Sequence, residues 1–357
     1  MLHFRLVAGV CLLLGLVLLA QPALARVSGV CSNCHTMHNS QDGSAVDAGG
    51  PSANLLSDDC VGCHSRTDGV TIETVGSTRI PIVYNQSLPT NPLAGGNFYW
   101  IAHDGGDAYG HNVYGISGVD GDLSTAPGSQ VTGAGCTNCH STLSSSDPAN
   151  GCKGCHVPRH HADDSDVVVS SSGGWYRFLG DNPGMIPLTS NGVIGIEEED
   201  WEQSPTNNNH NVYQGTTTLY GKSKATSTNS IGEFCAGCHG DFHHDMNESQ
   251  PASTAGAWIR HPSDVVIPNS GEYADAFGLP DRDYNPLVPV AKSTALVSGD
   301  ENFASVTIAS DVVTCISCHR PHGSPYPDML RWDYSNDCDA GTANADCGCF
   351  SCHTAKD

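Results

Sequence analysis

The pentapeptide Cys-x-x-Cys-His recurs seven times along the 357 residues. It falls at Cys31, Cys34, His35; Cys60, Cys63, His64; Cys136, Cys139, His140; Cys152, Cys155, His156; Cys235, Cys238, His239; Cys315, Cys318, His319; and Cys349, Cys352, His353. Two cysteines three apart lie about one helical turn from each other. Both sulfurs then reach the two vinyl groups of one porphyrin as thioethers, and the next histidine is held beneath the iron as proximal ligand. A bare Cys-x-x-Cys also serves half a zinc site or a redox dithiol. The histidine that closes every copy separates these readings, because about 0.04 such pentapeptides are expected by chance at this composition. The motifs imply seven covalent c-type haems.

Porphyrin also answers a difficulty of composition. Only 38% of residues are hydrophobic, and 40 Gly and 20 Pro interrupt what apolar periodicity exists. Without a cofactor much of the chain reads as loop or disorder. The expected fold is therefore a multihaem cytochrome c: mostly coil, with short helices at the haem motifs, few short strands and a haem-stacked core. Val70 to Val75 and Ser305 to Ile308 are candidate hairpin segments.

The second axial position needs its own donors. Beyond Met1 only Met37, Met185, Met246 and Met329 are present, too few for seven irons, whereas ten histidines besides His3 lie outside the motifs. Bis-histidine ligation throughout is the simplest reading. His38 and His322 follow a proximal histidine by three residues, and His160 and His243 by four. On a helix such offsets share one face, while the open side of the same iron lies beyond the porphyrin, so each should ligate a different haem. His111 and His210 share a local context, Gly110-His111-Asn112-Val113-Tyr114 and Asn209-His210-Asn211-Val212-Tyr213, which suggests one geometry used twice. His261 precedes Pro262, which fixes the chain direction. His103, His161 and His244 are the expected surplus, but sequence does not resolve His160 from His161 or His243 from His244, so His161 stays a candidate ligand.

Residues 1–25 read as an export signal. Arg5 precedes an apolar run from Leu6 to Ala20, and Ala23-Leu24-Ala25 offers a small-x-small cleavage site. A membrane anchor is the alternative, though the run is short for a span. Residues 26–357 then form a single heptahaem domain, secreted to the outer cell surface or the periplasm. The formal charge of -23 disfavours nucleic acid and anionic membrane surfaces as partners. Cys338 and Cys347 lie outside the haem motifs, and a disulfide between them suits an oxidising compartment. Asp120-Gly121-Asp122 and Asp281-Arg282-Asp283 read as solvated acidic surface rather than cation sites.

These residues resemble a family, the multihaem cytochromes with doubled Cys-x-x-Cys-His motifs that include the hexahaem outer-surface filaments of metal-reducing bacteria. The likeness lies in Cys34-His35-Thr36-Met37-His38-Asn39-Ser40, in Cys235 to His243, in Arg260-His261-Pro262, in Cys315 to Arg320 with His322, and in Cys349 to His353. It implies closely stacked haems, little regular secondary structure, and an N-terminal histidine, here His38, that ligates a haem of the adjoining subunit in a homopolymer. The chain departs from that pattern in carrying seven motifs, with the additional one between Cys136 and His156.

Three functions compete at this stage. An electron conduit would pass electrons to redox partner cytochromes or extracellular metal oxides without bond chemistry. A multihaem oxyanion or metal reductase needs one iron with an open position, and no motif here replaces its histidine by lysine. A monomeric periplasmic shuttle would share the conduit's chemistry but not its assembly.

Overall fold

The computed structural model describes residues 27–123, 126–128, 143–146, 151–180, 192–217, 228–239, 242, 261–298, 303–354 and 356. Regular structure is sparse. Among the described residues the longest α-helix, Ile231–Ala236, has six residues and the longest strands have four. No helix there is long and apolar enough to cross a membrane. The coil-rich architecture agrees with the composition, because Gly and Pro leave few uninterrupted apolar runs.

The strands form small, separate ribbons. Ile72–Val75 pairs antiparallel with Thr78–Pro81 around a two-residue Gly76-Ser77 turn, where Gly76 takes the positive φ such a turn needs. The Val70 to Val75 segment thus forms a hairpin, whereas Ser305 contributes only an isolated bridge to Asp283. Val168–Val169, Gly195–Ile196 and Val212–Tyr213 make the one three-stranded sheet among the described residues. A Cβ at Gly195 would stand 2.5 Å from the Tyr176 ring and 2.8 Å from the Val212 carbonyl, so only glycine lets that strand close.

Apolar burial is divided in the same way. One cluster joins Tyr176, Val193, Tyr213, Ile231, Ala291, Val312 and Ile316. A second joins Ile267, Ala276, Tyr284, Val290 and Val306, and a third Phe98, Ile101 and Val113. Between them runs a continuous cavity of about 3270 Å³, lined by the cysteines and histidines of five described motifs and by Cys349 of the seventh. Small-molecule pockets occupy roughly 300–1,000 Å³, so this space is sized for several large groups. Side-chain clusters stand around it instead of filling it.

Candidate haem sites

Each described motif is a single helical turn closed on itself. The amide of His35, His156, His239, His319 and His353 donates to the carbonyl of its own first cysteine at 2.9–3.0 Å, and Cys60–His64 forms a five-residue helix. Local sequence starts three of these turns. The Asp59 carboxylate accepts from Gly62 N–H before the second motif. Ser230 accepts from Glu233 N–H, and the Glu233 carboxylate takes the amides of Thr228 and Asn229, ahead of the fifth. Ser317 Oγ accepts from Thr314 N–H at the start of the sixth. Caps satisfy amides that the first turn leaves unpaired, so the cysteines are placed by short-range signals.

Long-range folding sets histidine against histidine. Ring centres stand 6.0 Å apart for His35 and His161, 6.3 Å for His64 and His160, and 6.1 Å for His111 and His239. They stand 6.0 Å apart for His156 and His322 and 6.1 Å for His261 and His353. Metal–imidazole bonds of about 2 Å separate two opposed ligating nitrogens by about 4 Å and their ring centres by about 6 Å. All five pairs have that spacing, each combines one motif histidine with one non-motif histidine, and none is used twice. These residues fit a six-coordinate haem iron between each pair.

The remaining candidates are placed differently. His210 lies flat on Tyr284, centres 3.4 Å apart and planes 6° from parallel, with both ring nitrogens at the carbonyls of Asn211 and Phe303. That contact is too close for a metal, and the context shared with His111 does not carry a shared geometry. His103 packs against Tyr84 and Tyr99. His161, expected as surplus, faces His35. Among the described residues no histidine ring faces His319, and His38 is exposed. Cys136, Cys139, His140, His243 and His244 lie outside the described residues.

Burial favours the neutral form, the one that ligates a metal, in six of the paired rings. It pushes His111 down to about 4, assisted by His239, and His322 down to about 3, assisted by His156 and His111. Burial likewise lowers His64, His156, His160 and His261. The other ring nitrogen is oriented by the backbone: Nδ1 of His35, His64, His156, His239 and His319 meets the carbonyls of Asn54, Pro81, Arg177, Pro127 and Asp328 at 2.7–3.1 Å.

Three of those carbonyls belong to one recurring device. Asn54-Leu55, Arg177-Phe178 and Asp328-Met329 are successive residues at positive φ. In each, the first carbonyl meets the histidine Nδ1 and the second accepts the amide of the residue after the histidine, Thr36, Val157 or Arg320. The acceptors lie 19, 21 and 9 residues beyond their histidines, so no fixed spacing announces them.

Successive motifs lie side by side through their cysteines. Cys60 adjoins Cys152, and Cys235 adjoins Cys315. Cys34 lies near Cys63, Cys155 near Cys238, and Cys318 near Cys349. The described motifs therefore follow one another in space in the order first, second, fourth, fifth, sixth, seventh. A disulfide joins Cys338 to Cys347 beside the last of them.

Coil, cavity and opposed histidines resemble the arrangement of one class of protein, the multihaem c-type cytochromes, in which haem is attached covalently through Cys-x-x-Cys-His. Residues 308–357 match the doubled CXXCH motif family. The chain is 24% identical to the C-type cytochrome OmcS of Geobacter sulfurreducens, over 85% of this chain and 78% of that one. Two solved structures are similar. The Outer Membrane Cytochrome S filament from Geobacter sulfurreducens is 21% identical with a TM-score of 0.45, covering 90% of this chain and 87% of that chain. The OmcS nanowires from the same organism are 19% identical with a TM-score of 0.45, covering 90% and 88%.

Proposed function

We propose that residues 26–357, released from an export signal at 1–25, form one heptahaem unit that conducts electrons outside the cell and polymerises with copies of itself. The observation that carries the proposal is the set of five histidine pairs at 6.0–6.3 Å, strung along motifs whose sulfurs adjoin. When bound, c-type haem supplies one-electron iron chemistry, with a potential set by its axial ligands and their surroundings.

The chain's residues hold and insulate that chemistry. Motif cysteines anchor each group, paired imidazoles fill both axial positions, and backbone carbonyls fix the ring tautomers. Where protein fills both positions, substrate has no iron to bind. Redox partner cytochromes and extracellular metal oxides, which need only contact an exposed edge, are the acceptors this arrangement suits.

His319 and His38 support the polymer. His319 has no facing histidine among the described residues, and His38 is exposed near the start of the exported chain. His38 of one copy is the natural second ligand for the His319 site of the next. Such a head-to-tail contact need not close into a ring, and so builds a filament. A second reading rests on the same observation: a His319 site left open at one axial position would be a reductase site.

Intact mass, native electron microscopy and carbon monoxide binding on protein from a maturation-competent host test these readings together. Seven haems per chain, filaments and no carbon monoxide complex are the expected results. Discrete monomers that bind carbon monoxide at one haem would replace the conduit with the reductase, and a mass equal to the bare polypeptide would remove both.

A further inference from the structure

Surroundings of the proximal Nδ1 atoms divide the described motifs unequally. Five of these atoms meet a main-chain carbonyl at 2.7–3.1 Å. His353 differs: its Nδ1 is buried without a conventional hydrogen bond, and a carboxylate oxygen, Oε2 of Glu272, faces it at 3.5 Å.

Glu272 is built into that position. It sits in the 3₁₀ turn Gly271–Tyr273, and its carbonyl accepts from the Thr354 hydroxyl at 2.7 Å, one residue beyond the histidine. The Tyr273 ring packs 5.1 Å from the imidazole. Lys356 Nζ stands 3.5 Å from the same Oε2, on a side chain 56% exposed. The carboxylate side chain is 27% exposed, so water screens it only in part.

We propose that Glu272 is a positioning residue that lowers the reduction potential of the haem held by His353 below those whose proximal histidines meet carbonyls. This rests on the seventh motif being a haem site, as above. A carboxylate facing Nδ1–H draws on that proton and makes the opposite nitrogen a stronger donor. Its charge also favours the ferric over the ferrous ion. A carbonyl supplies only a dipole. Lys356 opposes the carboxylate from the solvent side and limits the effect. A haem of lower potential than its neighbours is the last to be reduced at equilibrium, and the Glu272 carboxylate would give the seventh site that place.

Spectroelectrochemical titration of the holoprotein, following the haems individually by their paramagnetically shifted NMR signals, tests this. Glu272→Gln is expected to raise one midpoint by about 59 mV, a tenfold change in the oxidised-to-reduced ratio. Asp339→Asn removes the same charge from an exposed site and is expected to move no single haem selectively. Lys356→Met, at a largely exposed side chain, is expected to lower the midpoint that Glu272→Gln raises, which keeps the test available if the glutamine variant does not accumulate. A selective shift of the wrong sign in either variant, or none beyond that of Asp339→Asn, would overturn the proposal. Intact mass of each variant shows separately whether the seventh motif carries haem, so failure of the haem reading is distinguished from failure of the tuning.

Discussion

His161 faces His35 with ring centres 6.0 Å apart, although 125 residues separate them in the chain. Its neighbour His160 faces His64, and His156, four residues earlier, faces His322. Six consecutive residues thus present histidines to three motifs. The segment 156–161 ties the first, second and fourth motifs together, so a coil-rich chain fixes their order in space.

This geometry makes the adjacent histidines separable. His161→Ala is expected to turn one haem high-spin and able to bind carbon monoxide, and His160→Ala a different one, whereas His103→Ala changes neither. Electron paramagnetic resonance of the three variants checks it. Low-spin spectra unchanged in His161→Ala would remove the pairing with His35.

His210 should behave as a core residue. Its ring is 7% exposed, stacked on Tyr284 and held at both nitrogens by carbonyls. His210→Ala is expected to leave every haem low-spin and to cost about 2 kcal/mol through buried carbonyls deprived of their partner. Thermal unfolding followed alongside the Soret spectrum separates the two effects.

Assembly should depend on one exposed side chain. His38→Ala is expected to keep seven covalent haems yet yield monomers in native micrographs, with one haem per chain binding carbon monoxide. Filaments of undiminished length would show that His38 is not the ligand that joins copies.

The disulfide should guard the seventh haem site. Sulfurs of Cys338, Cys347 and Cys349 lie within 4.8 Å of one another, so, once Cys338 is replaced, the oxidant that forms the Cys338–Cys347 disulfide can instead take two electrons and two protons from Cys347 and Cys349, joining them before haem attaches. Cys338→Ser is expected to lower haem content by one relative to the double variant Cys338→Ser/Cys347→Ser, in which no spare thiol remains. The double variant should lose about 3 kcal/mol of stability for a loop of this length. Equal haem mass in both variants would show that capture does not occur.

Sequence alone determined the features written in short-range code. Cys-x-x-Cys-His predicts an anchor and a proximal ligand because one helical turn is a local geometry, and scarcity of Met against abundance of His points to histidine as the second ligand. Gly and Pro content dictated coil with short helices, and the offsets of His160 and His322 sent them to other sites. Tertiary structure decided everything that depends on distant segments meeting. It set His161 against His35 and His210 against Tyr284, despite the context His210 shares with His111. It brought the carbonyls of Asn54, Arg177 and Asp328 to three histidines at unrelated spacings, and the Glu272 carboxylate to His353. The physical reason is that opposite faces of a large flat cofactor are reached by different stretches of chain, so sequence proximity cannot say which imidazoles will face each other.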